Sequence, residues 1–187
     1  MASQLTSIPN LITYARIVAV PVVCWLLTIP SPTARWIALI LYIVAAASDF
    51  LDGYLARKLN QGSALGKMLD PIADKLLVNA LLIVLAFTGD FDGWDLIPAI
   101  AIMLRETLVP GLREYLGNAR VEVPVTLLAK WKTTTQLIAL AVVIFAGLYP
   151  ALALVADLIL WLAAALTVIT GAQYFAYAWP HLSERSK

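Results

Sequence analysis

The chain has 187 residues, of which 61% are hydrophobic and only 13% charged, and its formal net charge is +1. A soluble domain carries about 25% charged residues, so this sequence lacks the polar surface to coat a water-exposed globule; with a mean hydropathy of +0.85, lipid is the expected solvent for most of it. The near-zero net charge gives no field for a nucleic-acid partner, and a lone Cys24 and a lone His181 leave neither a disulfide framework nor a cysteine metal cluster. Cys24, inside an apolar run, reads as a buried structural thiol, and His181 as a solvated or interfacial side chain.

In chain order, the polar opening with Ser3, Gln4, Thr6 and Ser7 reads as a short interfacial segment, and without a basic stretch ahead of the apolar run it does not resemble a cleavable signal peptide. A spanning helix needs about 20 mostly apolar residues, and six such runs are expected: 8–29, 35–58, 63–88, 94–116, 125–148 and 150–179. Pro30-Ser31-Pro32, the acidic Gly-containing stretch 89–95, the polar stretch 118–124 and Tyr149-Pro150 break them apart. All belong to a single membrane domain covering 1–187, with no soluble domain and no internal repeat.

Six crossings return both termini to one side. Arg57, Lys58, Lys67, Lys75, Arg113, Arg120, Lys130, Lys132, Arg185 and Lys187 gather there, whereas the opposite loops offer Arg35 beside Asp90, Asp92 and Asp95. The positive-inside rule puts the basic side, with both termini, in the cytoplasm. Trp25, Trp36, Trp94 and Trp179 fall near span ends, as interfacial anchors do.

Carboxylates stand where they are costly. Asp49 and Asp52 are three apart toward the cytoplasmic end of the second run, and Asp70 and Asp74 are four apart on the third, so each pair shares a helix face. Gly53 and Ala56 continue one face with almost no bulk, and Gly66 lies on the other. Ionisable residues inside a membrane mark function by default. Four carboxylates facing one another need neutralising, and oxygen-only ligands suit hard cations such as Mg²⁺, Mn²⁺ or Ca²⁺. Two pairs fit a two-metal site for phosphoryl displacement. Helix capping, or pairing with Arg57, Lys67 and Lys75, is the structural alternative.

Asp49, Asp52-Gly53, Ala56-Arg57, Gly66, Asp70 and Asp74 reproduce the pattern D-x2-D-G-x2-A-R-x8-G-x3-D-x3-D without a gap. This resembles the signature of the CDP-alcohol phosphatidyltransferases. The resemblance implies six transmembrane helices, a homodimer and an active site open to the cytoplasm. It implies that Asp49, Asp52, Asp70 and Asp74 bind two Mg²⁺ or Mn²⁺ ions, with Asp74 also the general base on the acceptor hydroxyl. It implies that Gly53, Ala56, Arg57, Ser63 and Gly66 contact the CDP-diacylglycerol donor. The small residues allow close approach to the helix, and Arg57 offers a bidentate fork to phosphate. Asn10, Thr13 and Arg16, at helical spacing, resemble the family's polar N-terminal nucleotide contacts.

The signature specifies the donor and leaves the acceptor open. Arg105 and Glu106 lie inside the fourth run, where a bare arginine is expensive, and pair internally or serve a ligand. With Arg113, Lys130 and Lys132, Arg105 makes a basic set suited to a phosphate-bearing acceptor; Lys130 and Lys132 also read as positive-inside anchors. The stretches 105–114 and 130–136 are most similar to family members that use glycerol 3-phosphate, which implies phosphatidylglycerol phosphate and CMP as products. Ala129 departs from the glycine that many relatives carry. A family enzyme acting on inositol phosphate or a second lipid is the nearest alternative. A metal-ion transporter is the remote one, because the second half has no matching acid pair, only Asp157 within the sixth run. Pro71 either kinks the third helix or marks its start.

Overall fold

The computed structural model describes residues 8–59, 64–91, 93–118, 121 and 126–183; at 8–9, 49–59, 64, 67 and 183 the description is of the backbone alone. Six α-helices occur among these residues: α1 (Ile8–Thr28), α2 (Pro32–Leu59), α3 (Ala64–Thr88), α4 (Leu96–Asn118), α5 (Leu127–Ala146) and α6 (Ala153–Ser183), the last preceded by a 3₁₀ turn at Pro150–Leu152. No strand occurs among the described residues. Each expected run corresponds to one helix. Among the described residues four segments are long and apolar enough to cross a bilayer: Asn10–Thr28, Met68–Thr88, Leu127–Ala146 and Pro150–Leu182. On α2 the apolar stretch among the described side chains is Pro32–Ser48, and α4 carries Arg105, Glu106, Arg113 and Glu114. The opening segment, Ser63, Asp92, Arg120, Arg185 and Lys187 lie outside the described residues.

Contacts divide the chain into two units, residues 1–90 with 144–150, and residues 91–143 with 151–187. In the first, α1 packs along both α2 and α3. Its buried stripe is Asn10, Thr13, Arg16, Val20, Val23 and Leu27, spaced three and four apart as one helix face requires. The stripe is apolar at the Leu27 end and polar at the Asn10 end. Opposite it stand Ala34, Ala38, Tyr42 and Ala45 of α2 and Ala73, Leu77, Leu81 and Leu85 of α3. The alanines let backbones approach closely, which is how helices associate where lipid removes the hydrophobic drive. Val18, Val22, Trp25, Ile40, Val44, Ile83 and Phe87 are exposed, the apolar outward face expected in lipid. Cys24 is only partly buried, contrary to the expectation of a buried thiol: position 24 steps off the Val20–Val23–Leu27 stripe toward that face.

The Leu27 end of this unit is closed by polar contacts. Gly89, at φ 77°, ends α3, and the Asp90 amide donates to the Leu85 carbonyl at 3.0 Å, a glycine-terminated helix cap. Asp90 forms an ion pair with Arg35 and accepts from Thr88 Oγ1 at 2.5 Å, while Arg35 Nε donates to the Ile144 carbonyl at 2.8 Å. Trp36, Phe145 and Tyr149 cluster beside them, with Phe145 and Tyr149 ring centroids 5.0 Å apart. A cavity of about 460 Å³ opens here, lined in part by Thr28, Ser31, Arg35 and Thr88.

In the second unit, α4 packs on α6. Ala99, Ile102, Glu106 and Val109 form the buried face of α4, and Ala156, Leu160, Ala163, Thr167, Thr170, Tyr174 and Ala178 that of α6. The buried face of α5 is Ala129, Lys132, Gln136, Ala139, Leu140 and Val143. Thr126 caps α5, accepting from the Ala129 amide at 3.2 Å. Val109, Ala129 and Tyr174 form one apolar cluster with Leu112 against it. Ala129, where a glycine was the expected family residue, therefore places its methyl in a packed contact.

Candidate active site

The donor half of the site grows from the polar end of α1. Asn10, Thr13 and Arg16 are each no more than 2% exposed. Burying three polar side chains on one stripe is costly unless each is met by a partner. Thr13 Oγ1 donates to Asp70 Oδ1 at 2.7 Å. Arg16 Nε donates to Ser48 Oγ at 3.2 Å, and Ser48 in turn donates to the Ala45 carbonyl at 2.7 Å. Ser48 immediately precedes Asp49, so α1 reaches both helices that carry the aspartate pairs.

On α3, Asp70 and Asp74 are half-buried and one turn apart. Gly66, one turn earlier, is buried. Lys75 Nζ sits 3.4 Å from Asp74 Oδ2, a loose pair. Pro71 lies well inside α3, so it does not mark the helix start. Asp49, Asp52, Gly53, Ala56 and Arg57 lie on the last turns of α2, and their side chains fall outside the described residues, as does Ser63. Among the described residues no three acidic, histidine or cysteine side chains group to hold an ion; two of the four aspartates are not among them.

The chemistry of Asp70 suits a hard cation. Asp70, half-buried, meets a neutral hydroxyl and no cationic side chain among the described residues, and a carboxylate in that position calls for a positive partner. The hydroxyl uses one lone pair and leaves the rest of the carboxylate available.

The second cluster lies in the other unit. Glu106 of α4 and Lys132 of α5 are buried, at 2% and 1% exposure, and they form an ion pair. Arg105 Nη1 also reaches Glu106 Oε1, at 3.1 Å. Arg105 and Arg113, two turns apart on α4, both lie over the ring of Tyr174, at 5.8 and 5.9 Å from its centroid. The Arg105 stem runs over Gly171, where an added Cβ would stand 3.3 Å from its Cγ. Arg105, Arg113 and Lys132 are thus brought together, whereas Lys130 is exposed and outside the cluster. The Arg105–Glu106 pairing expected as an alternative is present, but Glu106 is shared with Lys132. Ser48 and Tyr174 were not singled out in the sequence. Ser48 lies one turn before Asp52 on α2, a signal readable only once the buried face is known, and Tyr174 stands on a helix from which no site residue was expected.

Helices throughout the described residues, several of them long and apolar enough to cross a bilayer, define a multi-pass membrane protein, and its described polar groups gather as Asp70 beside the α1 stripe and as the basic cluster around Glu106. The chain belongs to the CDP-alcohol phosphatidyltransferase family, whose sequence model matches residues 6–169. It is 47% identical over 174 residues to a CDP-diacylglycerol–glycerol-3-phosphate 3-phosphatidyltransferase of Rickettsia bellii, covering 90% of this chain and 93% of that one. Proteins of the same name from Cereibacter sphaeroides, 37% identical over 95% of this chain and 98% of the relative, and from Bacillus subtilis, 39% identical over 94% and 97%, are similar along their whole length.

Proposed function

We propose that the chain transfers the phosphatidyl group of CDP-diacylglycerol to glycerol 3-phosphate, giving phosphatidylglycerol phosphate and CMP. The observation that carries this is the unbroken aspartate signature in a chain whose relatives, matched nearly end to end, bear that activity in their names.

Asp49, Asp52, Asp70 and Asp74 are the residues that would hold Mg²⁺ or Mn²⁺, with Thr13 fixing the Asp70 carboxylate. Bound there, divalent cations supply neutralisation of the diphosphate charge. Gly53, Ala56 and Gly66 let the nucleotide approach the helices, and Asn10, Thr13, Arg16, Arg57 and Ser63 bind its polar groups. Arg105, Arg113 and Lys132 hold the acceptor phosphate, and the exposed Lys130 beside them in sequence is a positive-inside anchor. Asp74 takes the proton of the 1-hydroxyl as that oxygen bonds to the lipid phosphorus. The phosphorus–oxygen bond to CMP breaks, and CMP departs with the electron pair. The six helices all cross the bacterial inner membrane, both termini and the site face the cytoplasm, and the protein works as a homodimer.

The experiment is CMP release from CDP-diacylglycerol by the purified protein, with glycerol 3-phosphate, inositol phosphate and serine compared as acceptors. Release with glycerol 3-phosphate alone, abolished by chelator and restored by Mg²⁺ or Mn²⁺, is the expected result. Release with another acceptor overturns the acceptor assignment, and release insensitive to chelator overturns the metal assignment.

A further inference from the structure

The three basic residues assigned to the acceptor phosphate form one connected chain of contacts. Arg113 lies over one side chain, Tyr174, that also carries Arg105. Arg105 bonds Glu106, and Glu106 bonds Lys132. Two residues without positive charge, Tyr174 and Glu106, therefore tie together cations from α4 and α5. Both are almost fully buried, at 6% and 2% exposure, so neither exists to meet water.

The charges would otherwise move apart. Guanidinium groups repel, and long side chains have many rotamers. An aromatic face attracts both guanidiniums electrostatically and fixes their heights above the ring. One buried carboxylate shared by Arg105 and Lys132 fixes the distance between their heads. Arg105 Nε meanwhile has no hydrogen-bond partner among the described residues, so the arrangement keeps a guanidinium donor in reserve. An oriented donor of this kind is what a phosphate oxygen requires.

We propose that Tyr174 and Glu106 are positioning residues for the acceptor phosphate: they hold Arg105, Arg113 and Lys132 in the spacing that recognises it. This rests on the reading of those cations as the acceptor site. Tyr174 acts through its ring face and not its hydroxyl, since the guanidiniums address the ring.

The test is steady-state kinetics of full-length protein in detergent, with KM measured separately for glycerol 3-phosphate and CDP-diacylglycerol and with inorganic phosphate as inhibitor. Tyr174→Leu is expected to raise the glycerol 3-phosphate KM about tenfold and weaken phosphate inhibition by a similar factor, leaving the CDP-diacylglycerol KM unchanged. Tyr174→Phe is expected to match the parent, as is Tyr177→Leu one turn along α6. Adding Arg113→Gln to Tyr174→Leu should cost less than the two single effects combined. If Tyr174→Leu does not fold, Tyr174→Met keeps apolar volume and is read the same way. Glu106→Asp, which keeps the charge but retracts it, should also raise the acceptor KM alone. Equal rises in both KM values, or no change with Tyr174→Leu, would overturn the proposal. Arg105→Gln separates the two layers. If it leaves the acceptor KM unchanged, the acceptor site itself is misassigned; if it raises that KM while Tyr174→Leu does not, only the positioning role fails.

Discussion

Thr13 shows how a single hydroxyl prepares a carboxylate. Its bond to Asp70, at 2.7 Å, fixes one oxygen, and hydrogen bonds to charged groups contribute about 1.5–3 kcal/mol. Removing it with Thr13→Val frees Asp70 to rotate and loses that orientation. The Mg²⁺ concentration for half-maximal activity is expected to rise roughly tenfold, measured by metal titration of CMP release, with Thr13→Ser close to the parent. Asp74 makes a different demand, since a base must have somewhere to put a proton. Asp74→Asn keeps the shape and removes that capacity, so CMP release is expected to fall by at least about a hundredfold while the thermal midpoint in detergent stays near the parent's. Turnover at the normal rate would remove Asp74 from the base role.

Whether these residues were legible before the structure differs by kind. Asp70 and Asp74 were legible as one face of α3, where both stand half-buried, while the side chains of Asp49 and Asp52 fall outside the described residues. The three α1 residues were legible as a series, and the structure puts all three on the buried stripe. Tyr174 was not, because an aromatic in an apolar helix reads as core until two guanidiniums are seen against its ring. Nor was Ser48, whose meaning comes from Arg16 thirty-two positions away. Pairings between helices depend on which faces meet, and sequence periodicity gives the face without naming its neighbour.

At the scale of the helix, the same periodicity succeeds. The expected runs and the observed helices agree to within a few residues at their ends, and Thr126 and Gly89 act where turn chemistry should act. Cys24 fails because one residue of rotation on a helix separates packed from lipid-facing. The Leu27 end of the first unit gives an independent test of helix contact. An ideal Cβ on Gly147 would run into the Arg35 guanidinium, which is already held by Asp90 and the Ile144 carbonyl. Gly147→Ala should therefore displace Arg35 and break the pair, and Arg35→Leu removes it outright, each costing up to about 3 kcal/mol. Both are expected to lower Tm in detergent. The double variant should be no worse than the more damaging single one, because both act through one interaction. Additive losses would show that Gly147 and Arg35 stabilise the protein separately.

For the whole molecule, the question is how many of the six helices cross. Among the described residues four are long and apolar enough by composition, while the described apolar stretch of α2 is the short Pro32–Ser48 and α4 carries four charges. In α4 two of those charges are the buried pair around Glu106, and the others, Arg113 and Glu114, lie toward its C-terminal end. Opposite charges that satisfy one another cost far less than bare ones. Charges grouped near one end of a helix are compatible with a span whose end reaches the interface. The alternative is that α2 and α4 lie without crossing. Labelling separates the two, using a Cys24→Ser background, which removes the lone native thiol. With six crossings, cysteine at Gly93 reacts with a membrane-impermeant maleimide from the outer side and cysteine at Gln61 from the cytoplasmic side. With four crossings the two exchange sides, because α2 and α4 each fail to reverse the chain. Cysteine at Ser3 or Ser186 reacts from the cytoplasm in either case and reports the orientation. The expected pattern is Gly93 outside and Gln61, Ser3 and Ser186 inside, in intact spheroplasts against inverted vesicles. That pattern would put the aspartate-bearing end of α2 on the side where CDP-activated lipid and a phosphorylated acceptor are both soluble in or bordered by cytoplasm. The reverse pattern at positions 61 and 93 would remove two crossings and, with them, the cytoplasmic placement of Asp49 and Asp52.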